Sequence, residues 1–169
     1  MVSNVSSLEN HNLCDLFGNS IEKLLVEKCK KIVSYNLINK KFPNQPVENY
    51  FGYREYKRHI IDETIYPANV NIITTHNKFI NKKATQLLFR LNEGGGRALY
   101  LIGVEDNGIA YGISKPELTT TLINFINMTN IINGSFIRSL KIYKTSTPDK
   151  FICTIRVVME NNLDTIAII

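Results

Sequence analysis

Three consecutive glycines, Gly94 to Gly96, are followed by the mostly apolar run Arg97 to Val104 and then by Glu105, Asp106, Asn107 and Gly108; no other stretch constrains the fold as much. Residues without a Cβ take positive φ at little cost, so the glycines end the helical pattern set by Phe79, Ile80, Ala84, Leu87, Leu88 and Leu91. Asn and Gly accept the left-handed conformations that a tight turn between twisted strands requires. Leu91 to Ile113 is therefore expected to run helix end, glycine break, buried strand, tight turn, second strand. A hairpin at the centre of the domain follows from that order.

The flanking segments supply what such a hairpin packs against. From Ser20, an N-cap residue, Ile21, Leu24, Leu25, Cys29, Ile32 and Tyr35 recur at helical spacing, which predicts an amphipathic helix from Ser20 to Asn36. Pro43, Pro46 and Gly52 break that pattern into a connecting loop. Residues 53–60 read as a strand with charge on both faces, a composition suited to a sheet edge or a binding surface. Residues 62–76 read as irregular. Ser114 and Glu117 stand three apart as a capping box, with Pro116 in the first turn, before the apolar stripe Leu118, Leu122, Phe125, Ile126 and Met128. Ser135 to Tyr143 and Phe151 to Met159 are strands joined by a turn at Pro148 and Asp149. The closing LDTIAII reads as the start of a further buried strand, as at a truncation before another domain.

These elements predict an α+β fold: a mixed or mostly antiparallel sheet of about five strands, two packed core helices and an extra N-terminal amphipathic helix. The expected division is a mobile segment over 1–19, the amphipathic helix and linker over 20–52, and the α+β domain over 53–169. A length of 169 residues with 44% hydrophobic and 21% charged residues suffices for one core. The net charge of +5 favours a polyanionic partner, and it is concentrated. Between Ser20 and Ile60 nine basic residues face four acidic ones, an excess equal to that of the whole chain. Cys14, Cys29 and Cys153 are odd in number and widely spaced, which indicates neither a disulfide framework nor a zinc site. No apolar run approaches the roughly 20 residues that span a bilayer, and the N-terminus is polar, so the chain reads as cytoplasmic with no membrane partner.

The chemistry legible in the sequence is sparse. The GxxxxGK[ST] spacing of a phosphate-binding loop does not occur, and neither a GxSxG elbow nor an HExxH helix is present. Gly94 to Gly96 lead into a strand rather than into a helix N-terminus, so they suit helix termination rather than a nucleotide cradle. His11, His59 and His76 lack metal-ligand spacing and read as surface or loop residues. Carboxylates remain. Glu48, Glu55 and Asp106 or Glu105 could converge on a divalent cation if the strand over 53–60 lay beside the hairpin; equally, Glu105 and Asp106 are ordinary turn residues and Glu55 a partner for Lys57 or an arginine.

EYKRHI from Glu55, then KATQLLFRLNEGGGRALYLIGVEDNGIAYGI, then ELTTTLINFINM resemble, in order, the N-terminal domain of the GTP-binding protein 1 and 2 family, translational GTPases related to elongation factors 1-alpha and Tu. The resemblance spans about 53–169. It implies an accessory domain that precedes a G domain, with TIAII corresponding to the strand that leads into the family's phosphate-binding loop. GTP and Mg²⁺ would then belong to the parent protein, and no cofactor to the 169 residues. Contact with RNA, the ribosome or the G domain is the implied role, and Arg54, Lys57, Arg58 and Arg97 are the candidates for phosphate contact. The triple glycine, the IGVEDNG segment and the upstream EYK are also similar to Schlafen and AlbA-type domains, some of which cut RNA with carboxylates. That resemblance implies the alternative of a Mg²⁺- or Mn²⁺-dependent ribonuclease acting on tRNA or rRNA through Glu48, Glu55 and Asp106. The spacing of Glu48 and Glu55 is wider than that of the family's two glutamates. A protein-interaction module docking through the Ser20 to Asn36 helix is the third reading.

Overall fold

The computed structural model describes residues 20–63 and 72–160. The segments expected to be mobile over 1–19 and to form a terminal strand at LDTIAII, including TIAII, lie outside the described residues. Eight elements follow one another: α1 (Ser20–Lys28), β1 (Ile32–Ile38), β2 (Arg54–Lys57), α2 (Ile72–Glu93), β3 (Arg97–Ile102), α3 (Lys115–Ile131), β4 (Ser135–Lys144) and β5 (Phe151–Met159). The five strands form one sheet in the order β1-β4-β5-β3-β2. The inner pairs β4–β5 and β5–β3 are antiparallel and the outer pairs β1–β4 and β2–β3 parallel. The fold is α+β with a mixed sheet, as the segment order implied, and β2 stands at an edge, where a strand with charge on both faces is tolerated.

The amphipathic helix expected from Ser20 to Asn36 stops at Lys28, and its second half is strand β1. The three-residue spacing of Ile32 and Tyr35 has a different origin. β4 carries a bulge between Ile137 and Ser139, so its own buried residues Ile137 and Leu140 are three apart. β1 runs parallel to it with Ile32 opposite Ile137 and Tyr35 opposite Leu140, and copies that spacing. The β-branched and aromatic content of IVSYNLI favours the strand once a neighbour is available to pair with.

The central hairpin is likewise only half realised. β3 is buried between β5 and β2, but residues 109–113 lift away from the sheet and rejoin it through a single bridge, Ile113 to Phe151. The loop closes on itself instead: Gly108 donates to the Glu105 carbonyl at 2.8 Å, Glu105 to Ile109 at 3.0 Å and Gly112 to Gly103 at 2.9 Å. The region expected to be irregular over 62–76 includes the start of α2, which begins at Ile72.

The helices cover one face of the sheet. Ile21 and Leu25 of α1, Leu87 and Leu91 of α2, and Leu118, Leu122 and Phe125 of α3 share a core with Tyr35, Ala98, Tyr100, Ile137, Leu140 and Val157 from the strands. Tyr100 and Phe125 meet edge to face with ring centroids 5.0 Å apart. Two buried polar contacts pin the chain after β2 to α3: the Ile60 amide donates to Thr121 Oγ1 at 3.0 Å, and Asn124 Nδ2 donates to the Ile60 carbonyl at 2.8 Å. Each satisfies a backbone group that has left the sheet ladder.

The expected α3 cap is present. Ser114 Oγ accepts from the Glu117 amide, and Glu117 Oε1 accepts from the Ser114 amide at 3.1 Å, so two orphan donors are satisfied reciprocally. Ser114→Ala is expected to cost about 1 kcal/mol, read as a lower urea midpoint with an unchanged slope; an unaltered midpoint would show that the cap is dispensable.

Candidate functional site

The loop between β1 and β2 folds onto the turn after β3, and backbone bonds hold the two together. The Gln45 amide donates to the Gly108 carbonyl at 2.7 Å and the Glu48 amide to the Asp106 carbonyl at 2.8 Å, while the Ala110 amide donates to Asn44 Oδ1 at 2.9 Å. Gly108 is indispensable here beyond its φ of +91°, because a Cβ at that position would overlap the Gln45 carbonyl. The GVEDNG turn is thus a seat for the loop that carries Glu48.

That loop is clamped from the other side by Arg90, which α2 projects into it. Arg90 is 4% exposed. Its Nη1 donates to the carbonyls of Tyr50 at 3.1 Å and Gly52 at 3.0 Å, and its Nη2 donates to the Asn49 carbonyl at 3.2 Å and to Glu55 Oε2 at 2.9 Å. Glu48 Oε2 lies 3.9 Å from the same Nη2 and accepts a hydrogen bond from the Tyr56 amide. One guanidinium therefore gathers both glutamates and three loop carbonyls, a task that suits the five donors of a planar fork.

Two of the three predicted acidic residues are brought together, and the third is not. Glu48 and Glu55 converge on Arg90, whereas Asp106 is joined to Glu48 through its backbone carbonyl. The carboxyl of Glu48 is pushed up to about 7, first by burial and then by the neighbouring carboxylate of Glu55, against the pull of the Tyr56 amide. Lys57 Nζ lies 3.7 Å from Glu55 Oε1 on the core-facing side of β2. Lys83 stands nearby on α2, its pKa lowered by burial and by Lys57. Arg90 donates to Glu55 Oε2 and the Tyr56 amide to Glu48 Oε2, and among the described residues no three His, Cys, Asp or Glu side chains are grouped around a common point.

The four predicted phosphate-contacting residues do not form one patch. In the register of the sheet Arg54 lies opposite Leu99, and Leu99 opposite Arg156, all on the face away from the helices; Arg97 alternates with Leu99 onto that same face. Lys57 is on the helix side beside Glu55, and Arg58 is exposed beyond the end of β2. Sequence patterns had not singled out three further cations of the open face: Arg156 on β5, Arg138 at the β4 bulge, and Lys141 on β4 opposite Thr154. The alternation of Thr154 and Arg156 with the buried Cys153, Ile155 and Val157 is the sequence signal that places the first of them.

At one end this open face has its own small core, in which Tyr56, Leu99, Leu101, Val104 and Ile152 are roofed by Phe42, Tyr53, Ala110 and Tyr143. Phe42 and Tyr143 meet edge to face at 5.1 Å. Beyond that roof two hollows open. One, of about 330 Å³, includes Tyr53, Arg97, Arg138 and Arg156 in its walls; the other includes Arg54, Lys141 and Arg156. Among the described residues no Asp or Glu lines either hollow. The Arg54 guanidinium lies 5.8 Å from the Tyr53 ring, and its hydrogen bond to the phenol, then its charge, hold Tyr53 below the ordinary range.

Comparison with known proteins gives partial similarities. The chain is 33% identical over 98 residues to an uncharacterized protein of Acanthamoeba polyphaga mimivirus, a match covering 57% of this chain and 46% of that protein. It is 34% identical over 80 residues to GTP-binding protein 2 of Mus musculus and of Homo sapiens, covering 47% of this chain and 11% of each. The match thus spans less than half of the viral relative and about a ninth of the mammalian ones. No protein-family model and no solved structure matches.

Two outcomes test the carboxylate cluster. Arg90→Met removes the charge that the glutamates and carbonyls share and is expected to destabilise the fold by about 3–5 kcal/mol in urea unfolding; a loss within about 1 kcal/mol, the scale of one ordinary hydrogen bond, would contradict the clamp. The pKa of Glu48 is raised in the folded chain, so the proton is bound more tightly there than in the unfolded chain. Its contribution to stability is full below the ordinary value of 4.5 and is lost as pH rises through about 7. Glu48→Gln should therefore flatten the fall of the urea midpoint across that window, and an unchanged pH profile would contradict the assignment.

Proposed function

We propose that this chain is a non-catalytic accessory domain of a GTP-binding protein of the translation-factor type, acting in the cytoplasm by contacting RNA or the ribosome, or the G domain of its own protein. The observation that carries the reading is the Arg90 clamp: the acidic residues that could have served catalysis are engaged in holding a loop, while Arg54, Arg97 and their neighbours remain on an uncovered face. The similarity to GTP-binding protein 2 supports the accessory role. Guanidinium and ammonium groups bind phosphate without sequence preference, which suits a domain that positions a protein on RNA rather than reading it.

The rival reading, a Schlafen-like ribonuclease, draws its support from the convergence of Glu48 and Glu55 beside Lys57. No catalytic step is assigned to these carboxylates.

Arg54→Ala/Lys57→Ala/Arg58→Ala is expected to weaken RNA binding in fluorescence anisotropy and to lower its salt dependence; binding equal to wild type would remove these residues from the interface. With Mg²⁺ or Mn²⁺ added, end-labelled tRNA and rRNA should stay intact. Cleavage that disappears in Glu55→Ala would replace the accessory reading with the nuclease one.

A further inference from the structure

We infer that the face of the sheet opposite the described helices is a binding site for single-stranded RNA, whose phosphates lie along Arg54, Arg97, Arg156, Arg138 and Lys141. The inference rests on the RNA-contact reading and moves the contact from the edge strand to the breadth of the sheet. The five cations come from four successive strands, β2, β3, β5 and β4, and so form a band running across the strands rather than along one of them. With strands about 4.8 Å apart the band crosses about 14 Å, the reach of a short run of nucleotides. Four of the five are arginines, whose planar forks match phosphate oxygens in pairs.

What this face lacks is as informative as what it holds. Five cations held on one surface repel one another, and with no carboxylate lining either hollow the charge is uncompensated among the described residues. The bulge at Ile137/Ser139 belongs to the same device, because the extra residue it inserts is Arg138, turned into the hollow that also holds Arg97 and Arg156. Tyr53 stands at the rim, partly exposed and adjacent to Arg54, where a ring can stack on an unpaired base. A polyanion with both regular phosphates and free bases meets these features together. A duplex offers phosphates but keeps its bases stacked inside, and an acidic peptide offers carboxylates without bases.

The test is anisotropy of a fluorescein-labelled oligouridylate of about a dozen nucleotides against the full chain. Three variants are compared with wild type: Arg138→Glu/Arg156→Glu, the milder Arg138→Gln/Arg156→Gln, and, as a control on the opposite side of the sheet, Lys23→Ala/Lys28→Ala on α1. Arg138 and Arg156 are both exposed and outside the carboxylate cluster, and circular-dichroism melts establish that each variant is folded. The charge reversal is expected to weaken binding more than tenfold, roughly 1.4 kcal/mol or more. The glutamine pair should reduce the slope of log K against log salt by about 1.4, at about 0.7 for each phosphate no longer neutralised, and Lys23→Ala/Lys28→Ala should bind nearly as wild type. Wild-type binding by both Arg138/Arg156 variants overturns the inference while leaving RNA contact standing. No binding of any RNA by wild type overturns that reading as well. Tighter binding of the matching duplex, or equal competition by polyglutamate, overturns the single-strand assignment.

Discussion

The guanidinium of Arg90 is the point on which the arrangement of this domain turns. A buried charge is expensive unless it is paired and its remaining donors are satisfied. Arg90 meets most of that condition: its two terminal nitrogens are engaged by Glu55 and by the carbonyls of Asn49, Tyr50 and Gly52, while its buried Nε has no partner among the described residues. The consequence is mutual: α2 is fixed against the edge of the sheet, and a loop with little secondary structure of its own is held in one conformation. Glu48 then reaches the Tyr56 amide, and the turn at Asp106 to Gly108 receives the loop from above. Edge strand, helix, loop and turn share a single electrostatic anchor.

The same anchor divides the sheet into two chemically different sides. On the helix side Glu55 is paired with Arg90 and Lys57, and most of the surrounding core is apolar. On the other side, among the described residues, one end is roofed by Phe42 and its neighbours and the rest carries arginines. A sheet with helices on both faces would have no room for such a band. Among the described residues the helices lie on one side of the sheet and leave the basic face open, and the bulge in β4 is what adds Arg138 to it.

Much of this was legible in the sequence because it is local. The glycine break at Gly94 to Gly96, the Ser114 cap, the β4 and β5 strands and the edge character of β2 depend on residues within a few positions of one another, and all are found where the pattern puts them. The helix from Ser20 to Asn36 failed for a non-local reason: its second half took its spacing from a bulge in a strand about 100 residues away. The second limb of the hairpin failed for a related one. Turn chemistry specifies that the chain reverses, not that both limbs stay in the sheet, and here the loop around Gln45 holds the turn by its backbone.

Residue order alone was enough for the α+β class, the helix boundary at the triple glycine, the basic excess and the candidate acids Glu48 and Glu55. What holds those acids together was visible only in the folded arrangement, because the partner that joins them, Arg90, lies on a helix 35 residues beyond Glu55 and carries no motif. Folding likewise decides which cations lie together. Arg54 and Lys57 are neighbours in sequence but stand on opposite faces of a strand, whereas Arg54, Arg97, Arg138 and Arg156, far apart along the chain, share one surface. Alternation along a strand separates near neighbours and hydrogen bonding between strands gathers distant ones, so a surface built across a sheet is written in its pairing rather than in its sequence.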